Sequence, residues 1–125
     1  MTLCILSAGK TVTVAATAFT LSWTHSVQKT EWRESWQVTP VGLQIVEARI
    51  KGSGAGMEPP ADAVLKDGWW VYAPKVKPVR GLALAASGVT VSGWTLCAAG
   101  ACRELATEPG DVVVLEPCSG SSQPR

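Results

Sequence analysis

The sequence is poor in the residues that most chemistry needs. Its 125 residues include one histidine, one tyrosine and one phenylalanine. A single imidazole leaves a histidine-based metal set short, and no Cys-x-x-Cys pair is present to complete it. Neither Gly-x-Ser-x-Gly nor His-Glu-x-x-His occurs, which removes the serine-hydrolase elbow and the zincin helix. Charge is also scarce: eleven basic and ten acidic side chains give a net +1. That is no basic field for a nucleic-acid backbone and no polybasic patch for an anionic membrane. No metal and no cofactor is expected. Long apolar runs are missing too: GLALAASGVTV, residues 81–91, falls well short of the roughly 20 residues of a membrane-spanning helix. The start, MTLCILSAGKTVTVAATA, has no positive charge ahead of its apolar stretch, and Lys10 interrupts it. It therefore reads as a first strand rather than a secretory signal, and on that ground the expected compartment is the cytoplasm.

Helical periodicity is nearly absent as well. What is present is a series of short alternating runs separated by Gly, Pro, Asp and Ser clusters, on a chain that is 46% hydrophobic and so able to build a core. Strands are expected over 3–7, 11–16, 19–26, 32–38, 43–51, 69–73, 82–86, 94–97, 103–105 and 111–115. Turn signals fall between them, among them Gly9-Lys10, Asp67-Gly68 and Pro109-Gly110. The spacing predicts an all-β fold, a single antiparallel β-sandwich or partly open barrel of about 8–10 short strands. Residues 1–118 form one domain in this reading, and 119–125 a flexible tail.

Four cysteines, Cys4, Cys97, Cys102 and Cys118, allow three pairings. With 98–101 as a turn, Cys97 and Cys102 face each other across a hairpin, which leaves Cys4 and Cys118 for the terminal strands. The competing reading is four small buried thiols, favoured by the missing export signal.

The stretch WTHSVQKTEWRESW, residues 23–36, carries the lone histidine and three of six tryptophans. Phe19, Leu21, Trp23, His25 and Val27 alternate onto one strand face; Trp32, Glu34, Trp36 and Val38 alternate onto one face of the next. Joining the two apolar faces needs paired numbers with an odd sum, since a one-residue slip turns a face to solvent. A loop at 28–31 gives a usual hairpin length. His25 is then expected opposite Glu34, Trp23 opposite Trp36 and Leu21 opposite Val38. Two polar groups on an apolar face are costly unless they satisfy each other. The pair is either a latch for the hairpin or the floor of a tryptophan-lined site. Ser26 points to the other face of the strand, so a Ser26–His25 nucleophile–base pair is sterically disfavoured.

KGSGAGMEPP, residues 51–60, is glycine-rich, yet two prolines follow where a phosphate-binding helix would have to begin. A nucleotide is therefore not expected there. Gly54, Ala55 and Gly56 instead provide a loop whose bare N–H groups could line the same mouth as His25. In DGWWVYAP, residues 67–74, paired tryptophans place one ring toward the core and one at the rim.

FTLSWTHSVQKTEWRESWQV, LQIVEARIKGSGAGMEPP and DGWWVY together resemble the bacterial family of domains of unknown function numbered 1850. Its hallmark falls here on His25, Ser26 and Val27, then Glu34, then Gly54, Ala55 and Gly56; Gln28 stands where the hallmark has glutamate. The resemblance covers residues 3–72 best. It implies a context beside tripartite (TRAP) transporters with TAXI-type receptors, and a periplasmic or membrane-associated alternative to the cytoplasm. The function expected is thus a small accessory or binding protein of TRAP-type solute transport, partnering the permease, the TAXI-type receptor or a small solute. Its binding residues would be His25, Ser26, Glu34, Gly54, Ala55, Gly56, Trp23 and Trp36. The alternatives are a small hydrolase or isomerase with His25 as general base oriented by Glu34, and a purely structural pair in a protein-interaction module.

Overall fold

Turn chemistry decides much of the local structure. Three hairpins close on two-residue turns, Ala8-Gly9, Asp67-Gly68 and Ala99-Gly100, in which both residues have positive φ. This is the type I′ geometry, whose twist matches the strands it joins. In a computed structural model of the chain, which describes residues 1–24, 31–51, 62–85, 93–108 and 110–118, these turns link three strand pairs. They are β1 (Thr2–Ser7) with β2 (Lys10–Ala15), β6 (Val64–Lys66) with β7 (Trp69–Tyr72), and β9 (Trp94–Ala98) with β10 (Ala101–Leu105). The other strands are β3 (Ala18–Thr24), β4 (Glu31–Thr39), β5 (Gly42–Lys51), β8 (Leu82–Ala85) and β11 (Val112–Cys118). No helix occurs among the described residues, and none is long and apolar enough to cross a membrane.

All strand pairs are antiparallel, in two sheets ordered β2-β1-β11-β8 and β10-β9-β3-β4-β5-β7-β6. The fold is the expected all-β sandwich, with eleven described strands rather than about 8–10. Ten expected segments coincide with strands at slightly shifted ends. The addition is β6, three exposed residues with no alternation to betray them. The core lies between the sheets. Leu3, Ile5, Leu84, Val113 and Leu115 of the small sheet meet Phe19, Leu21, Trp36, Val38, Leu43 and Leu96 of the large one. Leu3, Leu21, Leu43, Leu96 and Leu115 are almost wholly buried, each stabilising by about 1.5–3 kcal/mol relative to exposure.

β5 carries the one irregularity of the β4–β5 ladder. Ser35 pairs with Glu47, but Trp36 pairs with Ile45, so Val46 is an extra residue. The bulge flips the inward parity from odd (Leu43, Ile45) to even (Ala48, Ile50). At the start of β5, Gly42 has φ +147°, and a side chain there would run into the Val79 carbonyl. That carbonyl accepts from Leu43 N at 2.6 Å, and Val79 N donates to Leu43 O at 2.9 Å. This bridge ties the segment before β8 to the large sheet.

Both cysteine pairs are disulfides, Cys97–Cys102 and Cys4–Cys118, which corrects the favoured four-thiol reading. Cys97 and Cys102 are directly opposite in the β9–β10 register. Cys4 and Cys118 meet because β1 and β11, 114 residues apart in sequence, lie side by side. Local sequence cannot supply that adjacency. The expected tail, 119–125, lies outside the described residues.

Candidate functional site

The β3–β4 register differs from the expected one. Phe19 stands opposite Trp36, Leu21 opposite Glu34 and Trp23 opposite Trp32. The parity is right and the faces are those expected, but the pairing is displaced by four residues. The partner across from Glu34 is thus Leu21, and that of Trp23 is Trp32, not Trp36. The last described pair is Thr24 with Glu31, so residues 25–30 connect the strands, whereas the expected hairpin carries the first strand to Val27 and takes 28–31 as its loop. His25 and Ser26, like Gly54, Ala55 and Gly56, lie outside the described residues.

Following the ladders across the large sheet sorts its inner face into rows. One row runs Trp23, Trp32, Ile50, Trp70 and Leu65. Trp94 extends it, since its ring lies 4.5 Å from that of Trp23, and Trp23 stacks on Trp32 at 6.0 Å. The next row runs Arg103, Leu96, Leu21, Glu34, Ala48 and Tyr72. A third holds Phe19, Trp36 and Ile45, with Phe19 and Trp36 stacked at 6.2 Å.

Glu34 is the anomaly of this surface. It is a carboxylate where the neighbouring positions of the core face hold leucine, alanine and tryptophan. Being two residues apart on one strand face, Glu34 and Trp36 touch, and the Trp36 indole Nε1 donates to Glu34 Oε1 at 3.0 Å. Burial pushes the Glu34 carboxyl above its ordinary value, and the indole hydrogen bond offsets part of that. Tyr72 lies in line with it through Ala48. Its phenol is pushed up as well, first by burial and then by the Glu34 carboxylate. The indole Nε1 of Trp32, on the same face, is buried and has no hydrogen-bond partner among the described residues.

Of the expected binding residues, the structure places Trp23, Glu34 and Trp36 on one face. Trp36 is deep in the core, while Trp23 is only partly buried and sits in the tryptophan row. Sequence reasoning puts Trp32 on the Glu34 face but misses Tyr72 and Trp94 as neighbours of this patch. The alternation in DGWWVY put Tyr72 and Trp70 on one face, but the β5 bulge hides which β4 residues they align with. The paired tryptophans do split as expected. Trp70 faces inward; Trp69 lies on the outer face with the Arg33 guanidinium and the Lys51 ammonium each 4.9 Å from its ring centre.

The patch offers one carboxyl of raised proton affinity, a phenol, the Trp32 indole N–H and several aromatic surfaces. No group of three or more His, Cys, Asp or Glu side chains that could hold a metal ion occurs among the described residues.

A family described as a domain of unknown function, DUF1850, matches residues 19–105. That span takes in β4 to β10 entire and nearly all of β3, and so the whole face just described. No curated protein and no solved structure matches the chain. With most of its length matched, the chain belongs to the DUF1850 family of domains of unknown function.

Proposed function

We propose that the chain is a non-enzymatic accessory protein of a TRAP-type solute-uptake system, taking its partner or a small solute on the inner face of the large sheet around Glu34. The transport context rests on the family resemblance. The observation that supports the site is the placement of Glu34: a partly desolvated carboxylate next to a row of tryptophans and in line with Tyr72 across β5, on a face otherwise filled with apolar side chains. Keeping a carboxylate there costs stability, which function would explain. His25, Ser26, Gly54, Ala55 and Gly56 are expected at the same mouth, and the reading does not depend on them. The enzyme alternative needs His25 near Glu34; Glu34 pairs with Leu21 in the β3–β4 ladder, and no observation favours that reading over binding. The two disulfides favour the extracytoplasmic side as the working compartment, since such bonds persist where thiols are not kept reduced.

Glu34→Leu separates binding from structure. Removing a poorly solvated charge offsets the loss of the acceptor for the Trp36 indole, so the fold is expected to stay intact, with stability within about 1 kcal/mol of the parent. The same change should abolish co-purification with the permease or receptor encoded alongside, and any solute-induced rise in melting temperature. A Glu34→Leu protein that binds as well as the parent, or a parent that binds neither partner nor solute, counts against the reading.

A further inference from the structure

The four sheet edges are not protected alike. β6 is three residues long and ends in Lys66; β10 carries Arg103, Glu104 and the bridged Cys102. β8 is four residues long, and the Trp94 indole reaches the Ala85 carbonyl at its end at 3.4 Å. Among the described residues, β2 has only Lys10 at its turn end as such a device. Its six residues, KTVTVA, contain no proline, pair with β1 without a bulge and are almost all exposed, Val12 by 43%. Natural edges of this length and β-propensity are normally blunted unless they are used.

The hairpin turn fixes which groups of β2 are free. Ser7 and Lys10 flank the two-residue turn and form its hydrogen-bonded pair. Backbone groups of Lys10, Val12 and Val14 therefore serve β1, while those of Thr11, Thr13 and Ala15 point outward from the sheet. An incoming antiparallel strand must present outward groups at the same spacing, with β-branched side chains on both faces. β2 meets that requirement itself. Placed about a two-fold axis at Thr13, two copies set Thr13 opposite the partner's Thr13 and Thr11 opposite the partner's Ala15, using every outward group of the strand. The same register sets Val12 beside the partner's Val14, both on the core side. It also leaves the two Lys10 side chains, the only charges of the strand, at opposite ends. A register shifted by two residues loses a hydrogen-bonded pair, and shifted toward the turn it also brings Lys10 against the partner's Val14.

We propose that the protein self-associates through β2, pairing the edges of two small sheets into one continuous eight-stranded sheet. The occupant is a second copy because the strand's own side chains, free backbone groups and charge placement complement themselves. The interface is a strip rather than a broad face, so association is weak and concentration-dependent, over roughly 10 μM to 1 mM as befits less than about 1,200 Å² of buried surface.

Sedimentation velocity on the disulfide-intact chain should show monomer giving way to dimer across that range. Thr13→Pro deletes an outward N–H that β1 does not use, and should weaken the dimer at least about tenfold. A nitroxide spin label on Thr13→Cys should be strongly broadened at high concentration, since the two labels meet at the axis; the same label on Lys66→Cys, at the edge of the large sheet, should not. The label decides the matter if the proline variant does not fold. A chain that stays monomeric throughout, or a dimer whose Lys66→Cys label broadens while the Thr13→Cys label stays sharp, overturns the proposal.

Discussion

At the residue scale, Glu34 and Tyr72 report on each other. Because burial raises the Glu34 carboxyl above its ordinary 4.5, the folded chain holds a proton there that the unfolded chain has already lost. Stability contributed by that proton is present below 4.5 and is lost as pH rises through the folded value. Glu34→Gln is therefore expected to flatten this fall, seen as urea midpoints that change less between acid and neutral pH. Tyr72 obeys the same sign higher up. Its phenol ionises above the ordinary 10.0, so stability falls as pH rises past that point. The chain has a single tyrosine, which makes the measurement clean: phenolate absorbance should titrate late in the parent. In Glu34→Gln it should move part of the way back, because burial remains while the carboxylate is gone. An unmoved titration would mean that the two groups do not sense each other.

At the scale of elements, alternation and turns carried most of the information. Period two alone puts Phe19, Leu21 and Trp23 on one face of β3 and Trp32, Glu34 and Trp36 on one face of β4, and the sheet joins the two as its inner face. The register did not follow, because parity excludes only every second alignment, and the loop between 24 and 31 left several odd sums open. β5 is legible as a strand, while its bulge shows only in the adjacent apolar pair Ile45-Val46, where the inward positions pass from odd to even. Gly42 shows the same limit. Nothing local marks it as more constrained than other glycines, yet the Val79 carbonyl occupies the space of its missing side chain. Gly42→Ala is expected to lose the β5–Val79 bridge and cost about 2–4 kcal/mol, read as a lower urea midpoint. Gly9→Ala, with open space around it, bears only the cost of its positive φ, about 1 kcal/mol.

For the whole molecule, the disulfides differ in reach. Cys4–Cys118 closes 114 residues and Cys97–Cys102 only five. Chain entropy then assigns about 5 kcal/mol to the first and about 2 to the second. The Cys4→Ala/Cys118→Ala protein should therefore melt well below the Cys97→Ala/Cys102→Ala protein, and equal melting points would show that the unfolded-chain account fails here. Thiol trapping of the native protein taken directly from cells should find no reactive cysteine. The long bridge also marks how the fold is assembled, joining the first strand to the last in the sheet that backs the site. Composition, alternation and turn residues are enough to determine that this chain is an antiparallel β fold, where most of its strands lie and which side chains of β3 and β4 share a face, since those depend on interactions within a few residues. Which strands became neighbours was decided only by the tertiary structure, because packing selects among registers and edges that local sequence leaves equal. That choice set Glu34 across from Leu21 and in line with Tyr72, brought Cys4 to Cys118, and left β2 open at the edge.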